Sequence, residues 1–366
     1  MLKPFMVDPS QAIRVKEQLL RETVSAIFRK MNVTADDADI ATDVLVAADL
    51  RGVESHGVSN MLRLYVRGYR LGELNARPNW RVLRETPSTA NIESDAGLGI
   101  ILVPKAMEMA IEKAKKVGMG VVTLRNGRHL GMASYHAMMA LKHDMIGMCM
   151  TSCPVYVVPT FGAEARLGTN PIAIAAPANK EVPFVFDAAM STIPGNKLSL
   201  ANRLKSQLMP GWVAAPDGTP IMEYSPAPPL GADGIPQAYL LPLGSTRELG
   251  SHKGYGLIAM VDILGGVLSG GGYGLVPGRP NFGHYVAAYS IEAFMDTLEF
   301  KDKMDEFLTM LRTTKTAPGH DRVIYAGILE AEAMADRKAN GIPYHPEVIE
   351  WFKGICRELG IAYNLT

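Results

Sequence analysis

The sequence predicts an α/β fold, with a sheet-containing middle flanked by a helical block at each end of the chain. Three observations carry that expectation. Apolar residues recur at helical spacing through roughly the first 75 residues, strand-like runs alternate with turns and helical stretches in the middle, and helical patterns return in the tail. A chain of 366 residues is long for a single core. The expected division is therefore 1–78, helical; 79–290, α/β; and 291–366, helical, with both chain ends packing together as one discontinuous domain.

Taken in order, Val15, Leu19, Leu20, Val24, Ile27 and Phe28 fall on one face of a helix expected over 9–30. Thr34 is placed to cap a second helix, and Asp36 and Asp37 stand in its first turn, where the helix dipole favours acid. After Arg51-Gly52 a break carries Ser55-His56-Gly57, and a third helical stretch follows through Leu62, Tyr65, Val66 and Tyr69. Short extended segments at 79–92 are interrupted by Pro87 and Ser88. Pro104 and Gly118 then bracket a helix. A strand at 121–124, a turn at His129, a helix at 133–143 and a strand at 146–151 continue the alternation.

Gly168-Thr169-Asn170-Pro171 precedes a strand at 172–176, and Phe184-Val185-Phe186 leads into Asp187. Residues 201–246, rich in Pro, Gly and Asp, read as an irregular excursion. Ser251-His252-Lys253-Gly254 opens a very apolar stretch, 257–268, expected to be a core helix. The tail has helical patterns at 301–311, 328–339 and 346–359, with the polar turn Ala317-Pro318-Gly319-His320 between the first two.

Composition excludes several classes of function. Lys plus Arg equals Asp plus Glu at 37 each, so no global field attracts nucleic acid or an anionic membrane. Asp262 interrupts the longest apolar run, which falls short of the roughly 20 residues a bilayer span needs. Cys149, Cys153 and Cys356 are too few and too unevenly spaced for a zinc site, and read as buried free thiols in a reducing compartment. With no leader-like start, the expected location is cytoplasmic. No metal site is expected, since H-E-x-x-H is absent and His136 and His143 read as structural or exposed. G-x-G-x-x-G after a first strand, G-x-x-x-x-G-K-[ST] and G-x-S-x-G are also missing, which leaves Rossmann, P-loop and nucleophile-elbow sites without a motif.

The residues that point to chemistry are histidines beside glycines. His129 lies on a strand-to-helix turn between Gly127 and Gly131, where the backbone can approach a ligand and an imidazole can move a proton near neutral pH. The same pattern also fits a histidine that only hydrogen-bonds its own loop. His56, in Ser-His-Gly, is the second. Asp187, followed by hydroxyls, Gly195 and Lys197, fits the rim of a phosphate-bearing or polyhydroxylated ligand and fits an ordinary turn as well. Lys253 opposes the dipole at a helix start, which hints at an anionic ligand.

Six blocks in order resemble the type-2 malate/L-lactate dehydrogenase family, which also contains ureidoglycolate, sulfolactate and diketogulonate oxidoreductases and cyclic-imine reductases. They are Ala48-Asp49-Leu50-Arg51-Gly52 with Ser55-His56-Gly57, the turn from Gly127 to Gly131, and Gly168-Thr169-Asn170-Pro171-Ile172-Ala173. Phe186-Asp187-Ala188-Ala189 through Lys197, Lys253-Gly254-Tyr255-Gly256-Leu257 and Ala317-Pro318-Gly319 complete the set. The resemblance implies a non-Rossmann sheet domain that binds a nicotinamide dinucleotide, NAD with NADP as the alternative, in a homodimer with a shared active site.

It further implies that His56 and His129 exchange the proton. Ser152, Thr169, Asn170, Asp187, Ala189, Met190, Ser191, Lys253, Gly254, Pro318, Gly319 and His320 then line the cofactor. The substrate is a small 2-hydroxy or 2-oxo acid, malate- or lactate-like. Its carboxylate asks for a guanidinium fork, for which Arg51 and Arg63 are nearest in sequence, with Ser55 and Asn60 as further substrate positions. Asp187 either orients an imidazole or binds a cofactor hydroxyl.

Two departures concern ligands. Asn60 stands where many relatives have Arg, and Met190 and Asn196 replace the usual Thr and Gly. The alternatives to hydroxy-acid oxidation are reduction of a cyclic or N-alkyl imine on the same fold, a His-dependent lyase or hydrolase, and a non-catalytic binding protein.

Overall fold

The computed structural model describes residues 10–229, 238–274 and 282–366. Pro9 and residues 230–237 of the expected excursion lie outside them. The chain opens with β1 (Ile13–Val15), α1 (Glu17–Lys30), α2 (Ala35–Leu50) and α3 (Val58–Arg70). Thr34 caps α2 by accepting from the Asp37 amide, as its position in the sequence predicts. The sheet region comprises β2 (Arg81–Glu85), β3 (Thr89–Glu93), α4 (Gly99–Val117), β4 (Met119–Gly127), α5 (Ala133–Met138), β5 (Met145–Ser152), β6 (Ile172–Ala176) and β7 (Phe184–Ala188). Then follow α6 (Gly195–Leu204), β8 (Val213–Ala214), β9 (Tyr239–Leu240), α7 (Ser251–Val261), β10 (Phe282–Ser290), α8 (Thr297–Arg312), α9 (Ile328–Asn340), β11 (Ile342–Tyr344) and α10 (Pro346–Leu359).

Seven strands form one mixed sheet in the order β2-β3-β4-β10-β5-β6-β7. Only β3 and β4 run parallel; every other neighbouring pair in this sheet is antiparallel. A Rossmann sheet is mostly parallel, so this mostly antiparallel topology agrees with the missing glycine fingerprint. The central strand, β10, is not marked by the sequence reading. It is buried over Gly283 to Ala288, and a strand covered on both faces lacks the polar alternation that would reveal it.

Helices α4 and α5 lie directly on strands at two glycines. A Cβ on Gly120 would come within 2.0 Å of the Ala110 carbonyl oxygen, and one on Gly147 within 2.0 Å of that of Ala137. Only hydrogen at these positions permits the contact.

The chain ends meet. β1 pairs with β11, Ile13 opposite Tyr344, and one hydrophobic cluster joins Leu20, Phe28 and Leu45 to Phe352 and to the sheet residues Val122 and Val286. Helix α8 goes elsewhere: Leu308 packs with Tyr325 and Ile328, and beside Phe184 at the β7 edge.

The apolar run 257–268 differs from the expected core helix. It is α7 followed by a wider π-helical turn, Asp262–Val267, and Ile263, Val267 and Leu268 are each more than half exposed. The three cysteines are buried free thiols, as expected. Among the described residues no helix is long and apolar enough to cross a membrane.

Candidate active site

The turn carrying His56 is fixed from below. After α2 the backbone makes a single 3-10 turn, Glu54–His56, and α3 begins at Val58 with no cap from its own Gly57. The carboxylate of Asp49 supplies one instead. Its Oδ2 accepts from the Val58 amide at 3.0 Å and from the Tyr344 hydroxyl of β11. A Cβ at residue 57 would lie 1.8 Å from Asp49 Oδ1, so Ser-His-Gly needs its glycine to admit this carboxylate. Burial pushes the Asp49 carboxyl up to about 7, against the opposing hydrogen bond from Tyr344.

From α9, Arg337 donates to the Asp49 carbonyl at 2.5 Å and pairs with Glu54 at 2.5 Å. Asn60 donates to the Ser55 carbonyl at 2.9 Å.

His129 follows the end of β4. Its Nδ1 lies 3.1 Å from the Gly131 amide and 2.7 Å from the Tyr65 hydroxyl. A backbone N–H can only donate, so Nδ1 carries no hydrogen, Tyr65 also donates to it, and the ring hydrogen sits on Nε2. The His56 ring stacks on His129 with centroids 5.5 Å apart and planes 16° from parallel, and its Nδ1 is 2.8 Å from the Ser55 hydroxyl. Phe282 meets His129 edge-on. Burial lowers the His56 pKa to about 4. Burial, helped by His56 and His284, holds His129 well below the ordinary histidine value, so both rings are neutral near pH 7.

Two cavities adjoin at this pair. The first, about 240 Å³, has both histidines on its wall, together with Arg67, Thr151 and Asn196 and a mostly apolar remainder. The second, about 480 Å³, shares His56, Gly131, Thr169, Pro171 and Pro194 with the first and adds Arg51, Ser55, Asp187, Ala189, Ser191, Thr192 and Glu330. Asp187 accepts from the Ser134 amide at 2.7 Å, and burial pushes its carboxyl up to about 6. Arg51 is 7% exposed; its charge faces Glu330 and Asp187, and its buried Nε has no hydrogen-bond partner.

The structure thus brings together His56, His129, Arg51, Ser55, Thr169, Asp187, Ala189 and Ser191. Other expected positions lie apart from these walls. Asn60 spends its amide on Ser55. Arg63 pairs with Glu347 at 2.7 Å and lies over the Trp351 ring. Ser152 is buried and donates to Asp262, Asn170 bridges the Cys153 amide and the Ile258 carbonyl, and Met190 is in a hydrophobic cluster. Gly254 lies against the Leu243 backbone, while Lys253, Pro318, Gly319 and His320 are exposed on the surface.

The sequence reading missed Tyr65, read only as part of a helical pattern, and Arg67, Phe282, Glu330 and Arg337. Of these only Arg67 had a usable signal, its place one turn beyond Arg63 on the same helix.

The family model described as malate/L-lactate dehydrogenase matches residues 15–353. Malate dehydrogenase of Pyrococcus horikoshii is 39% identical over 355 residues, covering 95% of this chain and 96% of that protein. L-sulfolactate dehydrogenase of Methanocaldococcus jannaschii is 35% identical, covering 95% and 97%. The crystal structure of malate dehydrogenase from Entamoeba histolytica superposes with a TM-score of 0.89 at 32% identity, over 96% of this chain and 99% of that one. These likenesses run along nearly the whole length, and the chain belongs to the malate/L-lactate dehydrogenase family, a family of oxidoreductases in which the relatives named above are dehydrogenases of hydroxy acids.

Proposed function

We propose that the protein is an NAD(P)-dependent oxidoreductase that interconverts a 2-hydroxy acid, malate- or lactate-like, and its 2-oxo acid. The observation that carries this reading is the His56–His129 stack at the junction of two cavities.

The second cavity fits the nicotinamide-ribose end of a dinucleotide. Asp187 and Glu330 offer acceptors for hydroxyls, Ser191 and Thr192 line the wall, and the orphaned Arg51 Nε offers a buried donor. When bound, the cofactor accepts the hydride of the hydroxy acid or returns it to the oxo acid. His129, fixed with its hydrogen on Nε2, donates a hydrogen bond to the substrate oxygen. When Ser55 accepts from His56 Nδ1, His56 Nε2 is bare and takes the hydroxyl proton during oxidation; in reduction the same atom gives it back. The apolar wall around the pair excludes water from the transfer.

The protein is further proposed to act as a homodimer, on the support of the exposed apolar face at Ile263, Val267 and Leu268.

Titration with NADH and NADPH, followed by nicotinamide fluorescence, tests the cofactor. His56→Ala and His129→Ala are each expected to lower turnover by roughly a hundredfold or more. Near wild-type rates in both variants would remove the histidine pair from the mechanism.

A further inference from the structure

His129 sits on a stretch of chain with little regular structure to hold it. Among the described residues, no backbone–backbone hydrogen bond reaches residues 128–131, which have left β4 and not yet entered α5. The carbonyls on either side of His129 are nonetheless paired, and in both cases with a buried imidazole. His284 of β10 has its Nε2 3.1 Å from the Arg128 carbonyl oxygen, and His136 of α5 has its Nε2 2.9 Å from that of Leu130. Both rings are fully buried.

A carbonyl oxygen can only accept, so each of the two histidines donates from Nε2. His284 accepts from the Thr151 hydroxyl at its other nitrogen, Nδ1, at 2.8 Å, whereas Nδ1 of His136 has no hydrogen-bond partner among the described residues. Burial pushes His136 down to about 4 and His284 down to about 3, so both are neutral near pH 7. Gly127 makes the β10 contact possible, because a Cβ there would come within 2.6 Å of His284 Nε2. A hydrocarbon side chain could fill either place without the cost of burying an imidazole, but it would leave a buried carbonyl of the His129 turn unpaired.

We propose that His136 and His284 are positioning residues for the proton transfer: by pinning the carbonyls before and after His129, one from α5 and one from β10, they fix the direction in which its Nε2–H points. Tyr65 and the Gly131 amide hold the ring of His129, and these two histidines hold its main chain. The proposal rests on the oxidoreductase reading above, in which that Nε2–H meets the substrate oxygen.

Amide side chains separate the two ring nitrogens. A glutamine amide can donate from near the position of imidazole Nε2, and an asparagine amide only from near that of Nδ1. In the intact protein, with oxaloacetate and pyruvate as substrates and NADH and NADPH as cofactors, His136→Gln should keep kcat within roughly threefold of the wild type. His136→Asn should lower it by roughly tenfold or more with KM for the 2-oxo acid little changed, as expected when a catalytic group is misplaced. His284→Gln and His284→Asn repeat the comparison from the β10 side, and circular dichroism identifies the variants that fold. The loss in the Asn variants should vanish in a His129→Ala background.

Wild-type kcat in the folded Asn variants, a folded Gln variant slowed tenfold, or the same further loss on top of His129→Ala would each overturn the proposal and leave the oxidoreductase reading standing. Wild-type turnover in His129→Ala, or no 2-oxo acid reduced by the wild type, would overturn that reading and this proposal with it.

Discussion

Asp49 is a carboxyl whose proton the fold holds. Its folded pKa of about 7 lies above the ordinary value of 3.8, so between those two values the folded protein keeps a proton that the unfolded chain has released. The stability this supplies is complete below the ordinary value and is lost as pH rises through about 7, at about 1.4 kcal/mol per pH unit across the window. Asp49→Asn removes that dependence. Denaturant unfolding at a series of pH values should show the variant gaining on the wild type as pH rises, and parallel curves would mean that Asp49 does not titrate there. At this scale the sequence was informative about His56 and His129, because each has a glycine within two residues, and uninformative about which arginine of α3 lines their cavity. Arg63 and Arg67 have the same chemistry one turn apart. The choice is made by Glu347, which is 284 residues away from Arg63 in the chain.

The His56 turn belongs with the elements that hold it. Arg337 and Glu54 are 12% and 15% exposed, and breaking a pair so nearly buried leaves a charge without its partner. Arg337→Met is expected to lower the unfolding free energy by about 3 kcal/mol and to reduce kcat more than it weakens cofactor binding. If Arg337 acts through His56, its effect on kcat should vanish in a His56→Ala background; additive losses would make it a purely structural residue. Elements with a complete local signal, such as α10 with Pro346 in its first turn and Gly360 just past its end, were legible to the residue. β1 was not. Its three residues form a strand only because Ile342–Tyr344 arrives to pair with them, and no local pattern announces a partner more than three hundred residues away.

For the molecule as a whole, the apolar stretch after α7 shows where pattern stops informing. Its hydrophobicity does not say whether its own chain, a second copy or solvent meets it. Ile263 and Val267 are 58% and 55% exposed in the single chain. Ile263→Asp and Val267→Asp are expected to convert a dimer to monomers in sedimentation velocity with the circular dichroism spectrum intact; a monomeric wild type would remove this face from consideration as a dimer contact. The α/β class was readable from alternation, whereas the strand order at the centre of the sheet was not, because β10 enters between β4 and β5 from far along the chain.

The tie between the chain ends also orders events during synthesis. Tyr344 follows Asp49 by 295 residues, roughly 15 to 60 seconds at ordinary elongation rates. Through that interval the first histidine hangs on an unfinished joint, however well the early sheet has formed. A message broken before the codon for Arg337 would yield a chain holding both histidines and most of the core, yet without the piece that aligns them. The His56 turn is therefore tied down only once the segment carrying Arg337 and Tyr344 has been made.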